Sequence, residues 1–207
     1  MLGLKRSSCG LSTKSPCINL FTLFTKVPAV VAVERLRWSG LTGGIIYWLF
    51  VAWSISRNPG FSFWRNALSD LGTGEASSPW IYNYGLMVTA FFVLAFSVYL
   101  ITSGENKLQT VGGAYISISA LFLALIGVFP GGTRPHTFVS TYFFVQFFLG
   151  MLIYGVGSKE KAIRYGSVLL FALALLGTFL HWPSVALIET YEIALIVTFT
   201  ILIAFKG

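Results

Sequence analysis

Few residues in this chain have side chains that could do chemistry, and their spacing narrows what they could do. Asn66 and Asp70 are one helical turn apart, so a single ligand could meet an amide and a carboxylate together. Glu189 and Glu192 are three apart and would share one helix face, while His136 and His181 stand in separate segments. A carboxylate as general base beside an imidazole as acid suits lipid hydrolysis or head-group transfer, which makes Asp70, Glu189 and His181 the catalytic candidates. Two histidines with Asp70 or Glu189 would instead supply three zinc ligands and leave a fourth position for water. The ligands come from separate segments without HExxH spacing, so no cofactor is predicted and zinc at His136, His181 and Asp70 is the alternative. Cys9 and Cys17 have no further ligand at metal spacing and form no disulfide framework.

The elements that must position these residues are membrane spans. Of 207 residues, 56% are apolar or aromatic and only 10% charged, with a mean hydropathy of +0.78, which excludes a soluble globule of ordinary composition. Apolar runs bounded by charges, Pro or Gly fall at about 36–56, 80–102, 111–129, 137–156, 165–182 and 185–205. Each can cross about 30 Å of hydrocarbon as a helix, the form that satisfies its own backbone. The expected fold is all-α: a polytopic six-helix bundle over residues 36–206. Residues 1–35 read as a basic arm, broken as a span by Lys26 and Pro28. Val30 and Ala32 resemble a signal-type cleavage site, and the bland readings are a cytoplasmic arm or an over-called translation start.

Charge then sets orientation. The basic residues before the first span, with Lys107, Lys159, Lys161, Arg164 and Lys206, fall on one side, and Arg57, Arg65 and Arg134 on the other. The positive-inside rule puts the richer side and both termini in the cytoplasm of a cell-membrane protein. The net charge of +7 is therefore topological, and no nucleic-acid partner is expected. Asp70, Glu75, His136, His181, Glu189 and Glu192 collect at the extracytoplasmic end, and no Asp, Glu, Lys, Arg or His is expected in the inner half of a span. That distribution disfavours a pump or coupled transporter, which needs polar stations across the membrane.

In the first extracytoplasmic loop, Phe61, Trp64, Leu68 and Leu71 recur at helical spacing with Ser62, Asn66, Ser69 and Asp70 opposite, so a short amphipathic helix is expected there. Its Asn66 and Asp70 could line a pocket, or the Asp could simply cap or solvate the helix. An ionised carboxylate near the centre of a span costs roughly 2.5–3.5 kcal/mol, so Glu189 and Glu192 should face the interior or a wet cavity, or make a buried hydrogen bond to Tyr115, Gln146 or Asn83. Arg134 could hold a lipid phosphate or anchor its loop. Gly40 and Gly44 form a GxxxG pair for close helix packing, and Trp80, Tyr82, Tyr84 and Trp182 look like an interfacial aromatic belt.

The strings Asn66-Ala-Leu-Ser-Asp-Leu-Gly72 and Trp80-Ile-Tyr-Asn-Tyr-Gly-Leu86, then Gly127-Val-Phe-Pro130 and His136, form a recognisable series. It resembles the archaeal and bacterial integral membrane family known as domain of unknown function 998, over about residues 36–205. The resemblance implies the six-span topology and a Glu early in the last helix at Glu189, but no reaction. A Ser-Asp-x-Gly after the first span and a His opening the fourth are also similar to the eukaryotic family of autophagy modulators and lipid-anchor remodelling proteins. The reading from residues is a polar extracytoplasmic pocket for a lipid head group or small polar ligand, drawn from Asn66, Ser69, Asp70, Asn83, Arg134, His136, His181, Glu189 and Glu192. An accessory subunit of a membrane complex is the alternative.

Overall fold

The computed structural model describes residues 33–206. Cys9, Cys17 and the features of the basic arm up to Ala32 lie outside the described residues. Six helices carry the chain: α1 Ser39–Arg57, α2 Trp80–Ser103, α3 Lys107–Val128, α4 His136–Gly157, α5 Lys161–Phe179 and α6 Val185–Lys206. All six are long and apolar enough to cross a membrane, the first counted with its lead-in from Val33, and no strand occurs among the described residues. Large apolar side chains on the outside, such as Phe91, Leu121 and Phe179 at 68%, 61% and 79% exposure, form the surface that hydrocarbon would cover. This is a multi-pass membrane protein.

Consecutive helices pack side by side around a ring that α6 closes against α1, and that last seam is the most sparsely packed of the six. Helix directions alternate, so the described chain begins and ends at one end of the bundle, where the Trp38 ring meets Phe205 edge-on at 5.2 Å. Lys159 pairs with Glu105 at 2.9 Å there, and the Asn106 amide donates to the Gly157 carbonyl at 2.7 Å. This is the basic end; the loop carrying Asp70 lies at the other. Glycine sets the tightest crossing: a Cβ on Gly112 would stand 2.5 Å from the Tyr154 nitrogen, and one on Gly150 would stand 2.8 Å from the Gly112 oxygen. The α3 and α4 backbones touch there, as small residues permit in a bilayer.

Helix ends differ from the apolar runs because a helix continues past the hydrocarbon as long as its terminal groups find partners. α3 begins at Lys107, where the Asn106 side chain accepts from the Gln109 amide at 3.1 Å. Lys161 and Arg164, which the apolar runs leave between two spans, lie in the first turn of α5, with the Arg164 guanidinium donating to the Ser158 carbonyl at 2.9 Å. α5 stops at Phe179, and the Trp182 indole takes up the Gly177 carbonyl at 2.8 Å.

The amphipathic helix expected over Phe61–Leu71 is replaced by turns and a five-residue 3-10 helix, Leu68–Gly72. Polar side chains outcompete α-helical pairing here. The Asn66 side chain accepts from the Ser62 amide at 2.9 Å, and Ala67 is extended at φ −97°, ψ 152°. The apolar stripe divides accordingly: Leu68 and Leu71 are buried in the core while Trp64 is exposed. Trp80 and Tyr84 are exposed as a belt requires, whereas Tyr82 is a core residue at 5% exposure.

Candidate functional site

The 3-10 helix Leu68–Gly72 sits on the bundle as a plug, held from within its own loop, from α6 and from α2. Within the loop, the Asp70 carboxylate accepts through Oδ2 from the Ala67 amide at 2.9 Å and from the Asn66 side-chain amide at 3.2 Å. From α6, Glu189 reaches over and accepts through Oε2 from the next amide, Leu68, at 2.7 Å. Two carboxylates from distant segments thus hold consecutive backbone N–H groups. The exchange is reciprocal, because α6 has unpaired N–H groups in its first turn. The Ala186 amide donates to the Asn66 carbonyl at 2.9 Å, and the Ser184 hydroxyl donates to the Phe63 carbonyl. From α2, Asn83 donates to the Gly72 carbonyl at 3.0 Å, and a side chain at Gly72 would run into Asn83.

Two spaces lie on either side of this plug. Outside it is an open polar cleft of about 790 Å³ bordered by Asn58, Asn66, Asp70, Thr73, Glu75 and Gly131. Inside is a narrow cavity of about 70 Å³, lined by every helix except α5. Ser69, Tyr47, Tyr82, His136, Ser140 and Glu189 give its Asp70-side end its polar groups, and the walls below are apolar side chains such as Leu86, Phe143 and Ile193. Thr89 and Thr200 also line it, but each hydroxyl is turned to its own helix, onto the Gly85 and Val197 carbonyls at 2.8 Å.

The polar end has defined donors and acceptors. His136 Nδ1 lies 2.9 Å from the Phe129 carbonyl; a carbonyl only accepts, so Nδ1 carries the proton and Nε2 of the neutral ring is left as an acceptor. Among the described residues the Leu68 amide alone donates to Glu189, so one carboxylate oxygen is held and the other lacks a donor. The Tyr47 and Tyr82 side chains line the same space as Glu189. Such a cap can hold a hydroxylated or cationic group through hydroxyl and carboxylate oxygens.

The residues singled out in the sequence are divided by this arrangement. Ser69, His136 and Glu189 meet at the cavity, whereas Asn66 and Asp70 border the outer cleft and are occupied as clamps. Asn83 is spent on Gly72, with its Oδ1 buried and unpartnered. His181 and Arg134 are exposed, and Glu192 is buried, with none of the three lining either space. Glu189 bonds to the Leu68 amide and not to the side chains expected of it. Among the described residues no three His, Cys, Asp or Glu side chains come together as metal ligands. Tyr47 and Ser140 belong to the cavity without having been singled out. Gly40, Gly44 and Tyr47 recur at i, i+4 and i+7, a stripe on α1 that could have pointed to Tyr47.

Fold and site together define a six-span helical membrane protein with a polar-capped apolar cavity beneath a clamped loop. The chain belongs to the DUF998 family, described as protein of unknown function, whose model matches residues 41–206. No curated protein and no solved structure matches the chain.

Proposed function

We propose that this protein binds a membrane amphiphile, with its polar group under the Leu68–Gly72 plug and one hydrocarbon chain in the cavity. The observation that carries this reading is the polarity gradient along a single space within the bundle, from Glu189, His136 and Tyr47 to apolar walls. From Glu189 to Thr200 the cavity follows α6 for about 16 Å at about 1.5 Å per residue. That is roughly half of the ~30 Å hydrocarbon core, the depth of one leaflet. Pockets for drug-sized ligands measure roughly 300–1,000 Å³, so a space of about 70 Å³ excludes a bulky solute.

Orientation follows from the positive-inside rule: the end bearing Lys107, Lys159, Lys161, Arg164 and Lys206 faces the cytoplasm, and the polar cap of the cavity lies toward the opposite side. Burial of an apolar chain supplies the affinity, and the cap supplies selectivity, since a head group that left the tyrosine hydroxyls and Glu189 unpaired would lose their hydrogen bonds. Native mass spectrometry of protein released from lipid nanodiscs tests this. One retained amphiphile of a consistent class is expected, depleted by Glu189→Gln combined with Tyr82→Phe. Release without any bound amphiphile, or with a mixture matching the bulk lipid, overturns the reading.

A further inference from the structure

The cavity meets packed residues at both ends of the bundle axis. At the Asp70 end the plug is clamped by Asp70, Glu189, Asn83 and the first turn of α6. At the basic end Gly40 lies so close to its neighbours that a Cβ there would be 2.9 Å from Thr200 and 3.0 Å from Phe96. A ligand held inside needs another way in, and one side wall has a different character. Gly44 of α1 and Val197 of α6 line the cavity and also line an apolar groove on the outer surface, with Leu41, Ile45, Trp48 and Leu49. The same two residues are thus wall and outer surface at once. They sit on the α1–α6 seam, the most sparsely packed in the ring, and within spans that hydrocarbon surrounds.

Resting on the binding reading above, we infer that the α1–α6 seam at Gly44 and Val197 is a lateral portal through which the hydrocarbon chain of a bilayer amphiphile enters and leaves the cavity. The occupant of the outer groove is then one alkyl chain, continuous with the segment inside. The absence of a side chain at Gly44 makes the wall thin: a Cβ there would stand 3.0 Å from Val197 Cγ2, so a larger side chain fills the seam and closes it. A sealed portal slows uptake and release together, because both cross the same barrier, whereas a weakened binding site chiefly speeds release.

The test follows exchange of a deuterated-chain phosphatidylcholine, as probe, between vesicles and the full chain in nanodiscs of unlabelled phosphatidylcholine, reading the protein-bound lipid by native mass spectrometry and uptake and release rates separately. Gly44→Leu is expected to slow both at least tenfold, and Val197→Ala to speed both several-fold. If Gly44→Leu fails to fold, Val197→Ala alone decides, and unchanged rates in that variant overturn the portal. Unchanged rates in a folded Gly44→Leu likewise overturn the portal while leaving the binding reading in place. If the parent protein takes up no probe and carries no amphiphile of its own, the binding reading falls and the portal with it.

Discussion

At the scale of the residue, Asp70 and Glu189 have different tasks although both accept from neighbouring amides of one turn. Asp70 satisfies two donors inside its own loop. Asp70→Ala leaves both without an acceptor and is expected to cost about 1–3 kcal/mol, read as a lower melting temperature in detergent. Asp70→Asn keeps an oxygen for the Ala67 amide, so its loss should be the smaller of the two. Glu189 spends one oxygen on Leu68 and faces the cavity as a residue. Glu189→Gln retains an acceptor for Leu68 and should leave melting nearly unchanged while depleting the bound amphiphile. Equal damage to fold and binding from that substitution would mark Glu189 as a clamp alone. His136 was legible as a lone polar residue opening a span, but its tautomer depends on the Phe129 carbonyl seven residues earlier, a contact made by the Pro130–Pro135 turn.

At the scale of the element, the six helices were readable from apolar runs because a bilayer rewards length and hydrophobicity directly. The loop Phe61–Leu71 was not, since its apolar period is genuine but its polar side chains bond to backbone amides at closer range than a helix would allow. The placement of Tyr82 failed for a related reason: aromatic residues at span ends can face lipid or core, and only the neighbouring α1, with Tyr47 behind it, turned this one inward. The glycines behave as close-packing residues, at sites that only the folded ring identifies. Gly112→Leu would drive a side chain into the α4 backbone at Tyr154 and Gly150. Displacing two packed backbones should cost more than the 1–3 kcal/mol typical of overpacking, and loss of the monodisperse peak in size-exclusion chromatography is the expected result. Asn106→Ala removes the α3 cap and the tie to Gly157, an expected loss of about 1 kcal/mol that thermal unfolding can resolve.

At the scale of the whole molecule, charge asymmetry predicts the topology in the cell. With Cys9 and Cys17 replaced by Ser, a cysteine at Glu75, exposed in the first loop, should react with a membrane-impermeant maleimide applied to intact cells. One at Lys159 should react only after permeabilisation. The reverse pattern would invert the proposed orientation and move the polar cap to the cytoplasmic side. The surface ion pair of Lys159 and Glu105 adds little to stability, because both side chains are exposed and screened.

By itself the sequence determined the all-helical class, the number of spans, the sidedness of its charges and the small set of polar residues worth following. Those properties depend on composition and on spacing along one helix, where periodicity is set by local geometry. Only the tertiary structure decided which polar residues meet. Asn66 and Asp70, spaced to meet one ligand, hold the plug and border the outer cleft, while Tyr47, Ser69, His136 and Glu189 come from four separate segments to cap one cavity. The physical reason is that each of those contacts joins segments distant along the chain, Leu68 to Glu189 across 121 residues. No spacing rule reaches that far; the packing angles of six helices around a ring set it.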